Sequence, residues 1–99
     1  MKKLIIATIL FAVSAPSQAY VPPFELCMQI HDAAHVTMQL RQMNDSKQEL
    51  LKLATNDSLK LMVNDAYKVR IFNSDYLKSE AADRFADEYF DRCLDNDFW

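Results

Sequence analysis

Two cysteines, Cys27 and Cys93, stand far apart in a chain of 99 residues that contains no others. If they pair, the two ends of the folded region are forced together, because a disulfide needs its α-carbons within about 7 Å of one another. Whether they pair depends on the compartment, and the first residues, MKKLIIATILFAVSAPSQA, bear on that. Lys2 and Lys3 make a positive start, Leu4 to Val13 is an uncharged apolar run, and Ser17-Gln18-Ala19 puts small residues where a signal peptidase reads them. The apolar run is shorter than the ~20 residues a membrane span requires. The pattern predicts a signal peptide of bacterial form over residues 1–19, cleaved after Ala19. Phe24-Glu25-Leu26 lacks the small residue that a lipoprotein signal places before its cysteine. The expected product is periplasmic or secreted and carries no membrane attachment after cleavage.

Cleavage leaves 80 residues, 20–99, which is one small domain. A core of that size contributes only a few kcal/mol net, so a covalent staple is expected. In an oxidising compartment two cysteines allow one intramolecular pairing, Cys27–Cys93, which closes a loop worth roughly 4 kcal/mol in the chain-entropy picture. The start of the first element must then meet the end of the last.

Apolar spacing is helical throughout. Pro22-Pro23 precede Leu26, Ile30, Ala33, Thr37 and Leu40, spaced four, three, four and three. Asn44-Asp45-Ser46 interrupts the pattern, with Asn44 suited to a left-handed C-cap. Ser46 and Glu49 form a capping-box pattern ahead of Leu50, Leu51 and Leu53. Asn56-Asp57-Ser58 repeats the joint and is followed by Leu59, Met62, Val63, Ala66 and Tyr67. After Phe72-Asn73-Ser74-Asp75, a last stripe reads Leu77, Ala81, Phe85, Tyr89 and Cys93. The expected fold is all-α: a compact bundle of three long helices and one short one, its first and last helices joined by the disulfide. Asn44 and Asn56 each open an N-x-S sequon, but both stand at helix joints, where Asn, Asp and Ser satisfy unpaired amides.

The expected mature chain carries nine Lys and Arg against fourteen Asp and Glu, a net charge of −5. Residues 20–74 are balanced, with six acids and six bases, whereas residues 75–99 hold eight acids and three bases. That acidic last third argues against nucleic acid or an anionic membrane surface as a partner. The chain has no glycine, which excludes the phosphate loops of nucleotide-binding enzymes. No cofactor motif is present.

Cys27, Arg41, the Ala66-Tyr67 pair and the spacing from Phe85 to Cys93 resemble small uncharacterised secreted helical proteins of proteobacteria and their phages. The resemblance covers most of the chain after residue 19. It implies the helical fold and the disulfide, and it carries no function. Asn44 stands where those proteins place a glycine after the first helix.

Three features are candidates for function. His31 and His35, at i and i+4, resemble the H-E-x-x-H helix of zinc proteases, but Asp32 replaces the glutamate and is too short for its role. With Met28 and Met38 they form two overlapping motifs, M-x-x-H and H-x-x-M, within roughly 80° of helix surface. Thioether and imidazole donors suit Cu(I) or Ag(I), as in periplasmic metal-sequestering proteins that repeat such units many times. The plainer reading is a helix edge on which methionine fills gaps. The acidic last helix reads as a solvated face, so no catalytic residues are assigned and the chain is expected not to be an enzyme. Finally, Phe90, Phe98 and Trp99 exceed what the core stripes need and suggest an interaction face. The reading that joins these features is a non-enzymatic exported protein acting through an unidentified protein partner or self-association. A periplasmic acid-stress chaperone and a soft-metal binder are the alternatives.

Overall fold

The structure is a computed structural model and describes residues 24–95. The expected signal peptide, its cleavage site, Phe98 and Trp99 lie outside the described residues. Four helices follow in order: α1 Phe24–Gln42, α2 Lys47–Leu53, α3 Asp57–Ala66 and α4 Asp75–Leu94. No strand occurs among the described residues, and none of their helices is long and apolar enough to cross a membrane.

Local chemistry sets the boundaries. Asn44 takes φ 62°, the left-handed conformation that ends α1, and Asn can adopt it because its side chain is short and polar. The Asn56 side chain accepts from Leu59 N at 2.9 Å and the Ser74 hydroxyl accepts from Leu77 N at 3.2 Å, capping α3 and α4. Ser46 sits at the N-cap of α2 but makes no side-chain cap bond, so that half of the expected capping box is not formed. The seven-residue α2 is instead pinned by Leu50, 2 % exposed, and packs on α3.

The longest helices, α1 and α4, make the dominant contact and run antiparallel. Cys27 and Cys93 are joined at one end of this pair, with α-carbons 5.5 Å apart and both residues fully buried. The bridge indicates an oxidising, non-cytoplasmic setting, because cytosolic thiols are kept reduced. The expected stripes of α1 and α4 are present with shifts, Leu26 and Ala81 being only half-buried. On α1 the buried set includes Cys27, Ala34 and Met38 beside Ile30, Ala33, Thr37 and Leu40, because α1 packs on α3 as well as α4 and its buried arc is wider. On α4 Leu77 is exposed, while Ala82 and Ala86 are buried with Phe85, Tyr89 and Cys93. A strict spacing of four drifts 40° at each step, so Leu77 and Cys93 are about 160° apart around the helix.

One polar tie joins α3 to α4. The Tyr89 hydroxyl donates to Asp65 Oδ2 at 2.5 Å, and the Arg92 guanidinium lies over the Tyr89 ring at 4.7 Å and near Asp65 at 3.8 Å. Burial, followed by the hydrogen bond to Asp65, pushes the Tyr89 phenol far above its ordinary range. A phenol whose native value is raised keeps its proton where the unfolded chain loses it. Its contribution is therefore complete below about pH 10 and is lost as pH rises beyond that.

Two outcomes are expected. Replacing both cysteines, Cys27→Ser with Cys93→Ser, lowers the unfolding free energy in urea by roughly 4 kcal/mol. In an alkaline titration, the phenolate absorbance of Tyr89 appears only together with loss of helical circular dichroism. That coupled step disappears in Tyr89→Phe.

Candidate functional site

The seam between α1 and α4 gathers most of the residues that the sequence singled out. Beside the disulfide, Phe24 meets Phe90 edge to face at 5.5 Å, and Phe90 meets His31 in the same way at 6.0 Å. Phe90 is thus partly buried within the seam, packed against the core, while Phe24 remains 59 % exposed. Of the expected interaction face, Phe90 is half-buried in this seam, and Phe98 and Trp99 lie outside the described residues. These edge-to-face contacts place the positive ring edge on a negative ring face.

The two histidines come next along the seam. Their rings stack 6.4 Å apart, as i,i+4 neighbours on one helix face do. Each reaches across to a carboxylate of α4: His31 Nε2 lies 3.1 Å from Asp87 Oδ1, and His35 Nε2 lies 3.0 Å from Asp83 Oδ1. Asp83 and Asp87 are themselves i and i+4, so two antiparallel helices with the same spacing meet in a two-rung ladder. Asp32 Oδ1 lies 3.5 Å from His31 Nδ1. The imidazoles are about three-quarters buried, the carboxylates mostly exposed.

The four residues expected to take a soft metal are not placed alike. Met38 is 0 % exposed, and its sulfur accepts a hydrogen bond from the Gln42 amide at 3.6 Å. It faces the core because the arc of α1 covered by its neighbours extends to it. Met28 is at the surface, 37 % exposed. Among the described residues, no three of His, Cys, Asp and Glu converge on a point that could hold a metal ion. The sequence could not show the ladder, because Asp83 and Asp87 lie about fifty positions from their partners.

Beyond the ladder the seam opens into a groove of about 390 Å³ lined by Val36, Gln39, Leu40, Met43, Lys78 and Ser79, with Gln42 at its end. Most of the lining is apolar. At the far end Lys78 Nζ donates to Gln42 O at 3.1 Å, covering a carbonyl in the last turn of α1.

Gln42, 3 % exposed, is the polar residue that sequence reasoning passed over. Its amide nitrogen donates to Arg70 O at 2.8 Å, and its amide oxygen accepts from Phe72 N at 2.9 Å. Beside it Arg41 Nε donates to Val69 O at 2.9 Å, with its guanidinium over the Tyr67 ring at 4.9 Å. These bonds fix the stretch from Tyr67 to Phe72 against the end of α1 and so set where α4 begins. A glutamine at the edge of an apolar stripe was the available signal.

Compared with models of protein families, with characterised proteins and with solved structures, the chain matches none. Gln42→Leu keeps the side-chain volume and removes both bonds to the connection, leaving Arg70 O and Phe72 N unsatisfied. It is expected to lower the unfolding free energy in urea by about 2–3 kcal/mol, and Gln42→Glu, which turns a carboxylate oxygen toward Arg70 O at a position 3 % exposed, by at least as much.

Proposed function

We propose that this is an exported, non-enzymatic binding protein, carried to the periplasm or the outside by residues 1–19, and that it holds an apolar anchor of a protein partner in the groove between α1 and α4. The observation that carries the reading is the groove itself, which lies between the two helices that pack most extensively on each other and is walled by Val36, Leu40 and Met43. Its volume lies in the range that accommodates one or two large side chains or a small ligand. Sites of this kind supply affinity through a buried aromatic or aliphatic anchor and specificity through polar groups at the rim. Here the rim offers Gln39, Lys78 and Ser79. The disulfide supports the export half of the reading.

The experiment is a titration of the exported protein with N-acetyltryptophanamide, a single aromatic anchor, followed by amide and methyl NMR shifts. Saturating shifts are expected on Val36, Leu40 and Ser79, with a Kd on the order of millimolar for so small a ligand. Gln39→Glu with Ser79→Glu, both at exposed positions, is expected to abolish them. Shifts centred instead on Phe24 and Met28, or none at all in a monomeric sample, would overturn the reading.

A further inference from the structure

The groove lies at the opposite end of the α1–α4 pair from the disulfide, and that separation bears on what fills it. The cross-seam contacts His31–Asp87 and His35–Asp83 fix an antiparallel register, and Gln39 and Ser79 continue it as facing residues of the groove. From Ser79 to Leu94 at the end of α4 is fifteen residues, about 22 Å of helix. Beyond Leu94 the sequence reads Asp95-Asn96-Asp97-Phe98-Trp99, with both of its aromatics after two acids. Phe98 is four residues past Leu94, and four fully extended residues span at most about 14 Å. Trp99 adds one residue more, about 18 Å in all, and still falls short of Ser79. With α4 intact, the backbone of Phe98 and Trp99 therefore stops short of Ser79, and docking into the chain's own groove would rest on the Trp99 side chain at its near edge alone.

The two features nevertheless complement each other. The groove is apolar, and Lys78 is the charged residue in its lining, on a chain whose last third is otherwise strongly acidic. The segment carries two large aromatics for the walls and two carboxylates for the lysine. A second copy removes the obstacle of reach. When two copies lie with their α4 helices antiparallel, the C-terminal end of each α4 comes beside the N-terminal half of the other, where Lys78 and Ser79 stand. The exchange is then reciprocal, and a twofold arrangement closes on itself without leaving an open groove.

We propose that the groove takes the Asp95–Trp99 segment of a second copy of this chain, giving a reciprocal dimer. The proposal rests on the reading of the groove as a protein-binding site and names its occupant.

Trp99 is the single tryptophan of the sequence, so its emission reports on this segment alone. The test joins sedimentation equilibrium with tryptophan emission across a concentration series of the exported protein. The expected result is a rise in mass to that of a dimer, with a parallel shift of emission to shorter wavelength. Ser79→Glu in the groove and Trp99→Ala in the segment should each weaken association at least roughly tenfold. An equal mixture of the two variants should recover part of it, because one good groove then meets one good segment. A monomer with constant emission up to about 1 mM overturns the proposal, and so does a dimer that Ser79→Glu leaves intact. If that monomer still shows N-acetyltryptophanamide shifts at Val36 and Leu40, self-docking alone has failed and the groove remains a site for another partner. If the shifts are missing too, both readings fall.

Discussion

The antiparallel contact of α1 with α4 is the interaction on which the rest of this structure depends. These are the two longest helices, and the chain between them is short helices and joints that could not form a core by themselves. The disulfide closes the contact at one end. At the other end Gln42 and Lys78 join the two helices and the connection through backbone carbonyls and an amide. Between these ends the aromatic contacts of Phe90 and the histidine–aspartate ladder keep the register. Each device acts where the apolar packing alone would allow the helices to slide.

Apart from Thr37, the polar side chains that tie this small core together find partners in other elements. Thr37 turns its hydroxyl back to Ala33 O at 2.7 Å, within its own helix. Gln42, Arg41 and Tyr89 all reach across to a different segment. A buried group left without its partner costs more than a made bond contributes, so these bonds act chiefly by excluding other arrangements. The groove is the complementary case. It lies between the histidine–aspartate ladder and the polar fixings at the end of α1.

Much of the fold was legible in the sequence because its signals are local. Helical periods, the Asn44 cap, and the caps at Asn56 and Ser74 each depend on residues within one turn of one another. The expectations that shifted concern faces that more than one neighbour covers. Met38 looked peripheral from the period of α1 alone and is buried because α3 widens the covered arc. Leu77 looked central from a spacing of four and is exposed because that spacing drifts around the helix. The residues carrying the resemblance to small secreted helical proteins have structural work in the fold: the cysteines bridge α1 and α4, Arg41 stacks on Tyr67, and Ala66 and Phe85 are in the core.

The sequence by itself determined the helical character, the joints and, through two cysteines with one possible pairing, the meeting of first and last helices. These follow from short-range sterics and from counting. Only the tertiary structure decided what faces what. It set His31 and His35 against Asp87 and Asp83, withdrew Met38 into the core, made Gln42 the fixing point of the connection and left a groove beside Lys78. The reason is that side chains dozens of positions apart acquire their environment from the packing of whole helices, which periodicity along one helix does not encode.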